Sequence, residues 1–180
     1  MEQKWYAVYT KPGNEKKVCS VLSKKNIEHY YPVNKVGGHN NSLRNTTCEP
    51  LFPCFVFVKT TEQQHIFLQQ ITGVINMVYW KNAPAVFPDE EINCLADFIS
   101  NHQNISTKQI AVNQTNSIKP KRVIYPVHTE QTEQPVKLIV EVTLPSIGYS
   151  LSAELRNSEV ETTGVSNVFP FETFSNKYAV

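Results

Sequence analysis

Residues 50–59 read Pro-Leu-Phe-Pro-Cys-Phe-Val-Phe-Val-Lys, the most apolar segment of the chain. Aromatic and β-branched residues without helical spacing predict a strand from about Phe52 to Lys59. Successive side chains of a strand point to opposite faces. Phe55 and Phe57 therefore project to one side, Val56 and Val58 to the other. Such a strand is either buried between two layers or lends its phenylalanines to an open apolar face that needs a partner.

The flanking sequence supplies the layers. Residues 4–10 read as a second strand, broken by Pro12 and Gly13. A helix is expected from about Asn14, as N-cap, to Asn26, with Val18, Val21 and Leu22 on its buried stripe and Lys16, Lys17, Lys24 and Lys25 opposite. A strand over Glu28–Lys35 leads into Gly37-Gly38-His39-Asn40-Asn41-Ser42, turn chemistry that predicts a hairpin tip reaching Thr47. Thr61-Glu62-Gln63-Gln64 has capping-box form and opens a short helix that Gly73 closes. A strand over Ile75–Trp80 follows. Asp89 is then the expected cap of a helix with Ile92, Leu95, Ala96 and Ile99 on one side.

Beyond that helix the pattern changes. Residues 100–117 are mostly Asn, Gln, Ser, Thr and Lys and read as a linker. Val136, Leu138, Val140 and Val142, and then Ile147, Tyr149, Leu151, Ala153 and Leu155, alternate with polar residues, which predicts a small all-β module. β-Branched residues at alternating positions make a poor amphipathic helix. The fold class is therefore α+β: a domain of strands and helices in 1–100, a polar linker over 101–117, and a separate small all-β module over 118–180.

Composition narrows the function. The chain has 180 residues, 41% apolar and 18% charged, and no apolar run approaches bilayer length; a soluble, cytoplasmic protein without a membrane partner is expected. Cys19, Cys48, Cys54 and Cys94 show no CxxC spacing and read as reduced, half-buried thiols. Only two aspartates, Asp89 and Asp97, are present. With no Gly-rich phosphate loop, paired metal-ligating histidines or nucleophile elbow, an enzyme, a cofactor and a metal site are not expected. The net charge of +1 hides a split. Residues 1–59 hold nine Lys/Arg against four Glu, and 60–180 hold eight against twelve Asp/Glu. The basic end faces a polyanion or is simply a solvated lysine face.

Three ordered motifs give the chain a family resemblance. Trp5-Tyr6-Ala7-Val8-Tyr9-Thr10-Lys11-Pro12-Gly13, Pro50-Leu51-Phe52-Pro53-Cys54-Phe55-Val56-Phe57-Val58, and Gly73-Val74 with Pro84 and Pro88-Asp89-Glu90-Glu91-Ile92 resemble the N-terminal domain of the NusG family of transcription factors. The Leu51-Phe52-Pro53 start and the Asn/Gln-rich linker are similar to the specialised RfaH and UpxY paralogues, regulators of operons such as capsular polysaccharide clusters.

The resemblance implies a transcription elongation and antitermination factor that binds RNA polymerase and suppresses pausing or termination. It also implies an antiparallel sheet flanked by helices for 1–100, a small β-barrel-like module for 118–180, and a division of roles. Tyr9, Phe52, Phe55 and Phe57 match the surface that packs on the polymerase clamp helices. Lys11, Lys17, Lys24 and Lys25 match the face turned toward the non-template DNA strand. His65 aligns with a polar triplet that touches a loop across the polymerase cleft, although Ile66 and Phe67 depart from that triplet.

The family's C-terminal KOW domain implies a ribosome or termination-factor partner. The glycine-rich turn of that domain is missing here, so the module reads as a degenerate version. The rival readings are a general NusG-like factor and a ribosome- or RNA-associated binding module.

Overall fold

The structure is a computed structural model that describes residues 2–37, 46–113, 121–127 and 137–155. The first sheet is antiparallel, with strands in the order β2-β5-β1-β6: His29–Tyr30, Phe55–Thr60, Lys4–Thr10 and Val74–Met77. β1 and β5 are the long central pair, running from Lys4 opposite Thr60 to Tyr9 opposite Phe55.

Each central strand is buried on both faces, the first of the two alternatives that residues 50–59 left open. Tyr6 and Val8 of β1, with Val56 and Val58 of β5, pack under helices α1 (Glu15–Lys24) and α2 (His65–Gln70), through Val18, Leu22, Leu68 and Ile71. Trp5, Ala7 and Phe57 face the other way, toward helix α3 (Asp89–Asn101) and its Ile92, Leu95 and Phe98. The period-two alternation of the sequence thus becomes two separate cores.

Several elements differ from the sequence reading. The strand expected over Glu28–Lys35 is split at Pro32, because β2 pairs with β5 while β3 (Val33–Val36) pairs with β4 (Thr47–Pro50). The tip of that hairpin lies outside the described residues. Ile75–Trp80 is also divided: β6 stays in the sheet, whereas β7 (Tyr79–Trp80) and β8 (Ala83–Pro84) form a small hairpin turned by Lys81 and Asn82, both at positive φ. Asp89 does not cap α3. Pro88 holds that position, and the Asp89 carboxylate accepts instead from Trp5 Nε1 at 2.9 Å and Lys59 Nζ at 2.7 Å, tying the helix to the central strands.

The largest departure concerns 101–117. Ser106–Gln109 is a strand, β9, and it joins β10 (Lys121–Val127), β11 (Lys137–Leu144) and β12 (Tyr149–Glu154) in an antiparallel sheet of order β10-β11-β12-β9. Polar side chains gave no period-two signal there because all four residues of β9 are exposed at a sheet edge. The chain entering β9 is held down as well. Buried Asn34 donates to the Ile105 carbonyl at 2.9 Å and accepts from the Ile105 N–H at 3.1 Å, while Ile105 itself sits in the core.

The alternating stretches do form β-structure, but not a detached module. Val140, Val142, Leu144, Leu151 and Ala153 are buried in the same core as Trp5, Phe52, Phe57 and Phe98. The alternation showed which residues were apolar; it carried no information about what would cover them.

Candidate functional site

The expected aromatic residues come together at one end of the β1–β5 pair. Tyr9 and Phe55 are register partners, with ring centroids 5.3 Å apart in edge-to-face contact. Phe52 lies edge-on to Phe57 at 6.3 Å, and Phe57 in turn meets Phe87 at 5.3 Å. Edge-to-face geometry places a ring's positive edge against its neighbour's negative face, which orders the cluster beyond simple burial.

The turn leading into β5 sets this geometry. Phe52 is not part of the strand; its carbonyl accepts from the Phe55 N–H at 3.3 Å across the intervening Pro53-Cys54. Cys54 closes the turn at φ +66, a left-handed conformation that is unfavourable for a residue with a Cβ. Two contacts hold it there. The Cys54 carbonyl accepts from the Thr10 N–H at 2.8 Å, and the Cys54 N–H donates to Glu15 Oε1 at 3.0 Å. Glu15 is buried at the head of α1, so the first helix fixes the loop that carries Phe52 and Phe55. Cys54 is thus a turn residue. The four thiols are free: Cys48 is exposed and the others half-buried, with burial pushing Cys19 up to about 11.

Exposure divides the aromatic set. Tyr9 is 41% exposed and Phe55 half-buried, but Phe52 and Phe57 retain only 4% and 2%. Phe52 is covered by Tyr149 of β12, at 4.8 Å between ring centroids. The face that sequence reasoning left open to a partner is therefore partly occupied by the chain's own C-terminal sheet.

The four lysines are exposed. Lys11 starts the α1 approach, and its N–H donates to the Gly73 carbonyl at 2.8 Å. Gly73, at φ +102, lies so close to α1 that a Cβ there would meet the Asn14 Cβ at 3.1 Å. Glycine is needed here on both counts. Lys17, Lys24 and Lys25 extend along α1, with Lys25 Nζ 5.8 Å from the Phe67 ring centroid.

His65 heads α2 on the sheet face opposite Phe57. Its ring meets Tyr6 edge-on at 4.4 Å, its Nε2 is buried without a hydrogen-bond partner, and burial lowers its pKa. The neighbouring Ile66 is 69% exposed.

Sequence reasoning missed Phe87, Phe98 and Glu91 as members of this core. Phe98 could have been found, since it continues the i, i+3 stripe from Leu95. Among the described residues, no His/Cys/Asp/Glu group could hold a metal ion, and no helix is long and apolar enough to cross a membrane.

Residues 3–96 match the family model described as "Transcription termination factor nusG". No curated protein matches the chain. Among solved structures, the one described as "Domain interaction in Thermotoga maritima NusG" superposes with a TM-score of 0.51 at 20% identity, covering 88% of this chain and 96% of the other.

Proposed function

The chain belongs to the NusG family of transcription factors, and on that premise we propose that it acts by docking its aromatic face on the clamp helices of RNA polymerase. Members of the family are non-enzymatic elongation and termination factors that bind RNA polymerase. The observation that carries the reading is the Tyr9–Phe55 and Phe52–Phe57 cluster, held rigid by the Cys54 turn within the matched residues. Aromatic anchors remove much apolar area from water at low rotamer cost, and they dominate the energetics of such contacts. Lys11, Lys17, Lys24 and Lys25 then follow the non-template DNA strand through phosphate attraction that carries little sequence information. Holding the clamp closed disfavours the opened, paused polymerase, a population shift that needs no chemistry.

In this reading the structure is a closed form. Tyr149 of the C-terminal sheet covers Phe52, so full engagement requires the sheet to leave. The description of the Thermotoga maritima relative also names a domain interaction. The paralogue-like Leu51-Phe52-Pro53 supports a specialised antiterminator at particular operons, in the cytoplasm. Binding to purified core RNA polymerase, followed by single-round elongation on a pausing template, tests the proposal. Stable binding with shortened pauses supports it, and binding to RNA without binding to polymerase contradicts it. Chromatin immunoprecipitation separates a specialised factor, present on few transcription units, from a general one.

A further inference from the structure

Glu91 is the one acidic side chain wholly buried among the described residues, with no exposed surface. It lies in the first turn of α3 and heads the stripe that continues through Leu95 and Phe98, where an apolar residue would be expected. Its carboxylate points across to the turn between β11 and β12. Oε1 accepts from the Ser146 N–H at 2.9 Å, and Oε2 accepts from the same N–H at 3.1 Å and from Ile147 at 3.2 Å.

That turn is built to present those amides. The Gly148 N–H donates to the Leu144 carbonyl at 2.9 Å, the Ile110 N–H to the Gly148 carbonyl at 2.9 Å, and the Asn113 N–H to the Pro145 carbonyl at 2.8 Å. Gly148 sits at φ +81, with Val112 so near that a Cβ would meet its Cγ2 at 2.6 Å. These bonds occupy the Gly148 N–H and the Leu144, Pro145 and Gly148 carbonyls, while the Ser146 and Ile147 N–H groups go to α3.

We propose that Glu91 is the latch that holds the C-terminal sheet closed over the aromatic face. Much of the contact around it is apolar, as between Phe52 and Tyr149, and an ion pair beside it, Asp97 with Arg122 at 3.7 Å, is solvent-exposed. The carboxylate is directional and fits one turn in one register. Burying it is costly, and burial lifts its pKa against the pull of the Ser146 and Ile147 hydrogen bonds. The contact is therefore selective without being strongly stabilising, which suits an interface that must open. Opening returns both the carboxylate and the two amides to water, so no polar group is stranded.

The consequence for polymerase binding rests on the proposed function; the latch itself does not. The test compares the full chain with Glu91→Leu, which fills the space but cannot accept, and Glu91→Gln, which keeps one acceptor. Amide hydrogen exchange is read at Ser146, at Ile147 and across β1–β5, together with affinity for core RNA polymerase. The latch predicts that Glu91→Leu raises exchange at Ser146 and Ile147 roughly tenfold or more, with β1–β5 unchanged, and that Glu91→Gln falls between. Unchanged protection in Glu91→Leu, or a uniform rise that includes β1–β5, overturns it. Faster exchange confined to the C-terminal sheet without tighter polymerase binding upholds the latch and removes the aromatic face as the polymerase site.

Discussion

The ring of Tyr149 lies 4.8 Å from that of Phe52, so a side chain of the C-terminal sheet rests on the aromatic face of the N-terminal one. Behind that contact the two parts share one core, from Phe57 and Phe98 to Val142 and Leu151. The expectation of a detached module at the end of a free linker gives way to a docked sheet. Removal of that sheet should therefore change what the aromatic face can bind.

The aromatic residues should separate into structural and interfacial members. Phe57 is almost fully buried, and Phe57→Ala should lower stability by about 3–5 kcal/mol in a denaturant melt. Tyr9 is 41% exposed, so Tyr9→Ala should leave the melt nearly unchanged while weakening polymerase binding roughly tenfold or more. Equal stability losses for the two would remove this division.

The turn at Cys54 depends on Glu15. Glu15→Ala leaves the Cys54 N–H without its acceptor and should cost about 1–3 kcal/mol. Cys54→Gly, by contrast, relieves the left-handed strain and should hold or raise the melting temperature. A marked loss in the glycine variant would show that the thiol packs more strongly than its backbone suffers.

Replacing Lys17, Lys24 and Lys25 with Gln should weaken binding to elongation complexes and flatten its salt dependence, since fewer counterions are released. Parent and variant affinities are compared across a salt series. Identical slopes would mean that these exposed lysines are only solvated.

His65 supplies a pH dependence with a definite sign. Its folded pKa is lowered by burial, so the unfolded chain binds the proton more readily. The contribution is complete above the free-histidine value of about 6.5 and declines as pH falls from there through the folded value. A protonated Nε2 would also be a buried donor without an acceptor. Stability of the parent should fall in this window, and that of His65→Gln should fall less. Parallel pH profiles would refute this.

Much of this was legible in the sequence because burial leaves a periodic trace. Phe55-Val56-Phe57-Val58 gave both faces of β5, and Val18 with Leu22 gave the stripe of α1. What escaped had no such trace. β9 is a polar edge strand, defined by its pairing with β12 rather than by its own side chains. Glu91 looked like an ordinary acidic residue at a helix start, and only the arrival of Ser146 from 55 residues away gives it a partner. Docking of one sheet on another is a tertiary property, and neither alternating stretch encodes it alone.

The central claim is that the C-terminal sheet covers the face by which the protein holds RNA polymerase. The most direct measurement is the Kd of the full chain for core RNA polymerase, compared with that of Tyr149→Ser, which removes the covering ring from Phe52. The account predicts tighter binding by the variant, roughly fivefold or more, given an edge-to-face or tilted aromatic pair worth about 1 kcal/mol beyond its buried area. Equal or weaker binding by a folded Tyr149→Ser chain would contradict it.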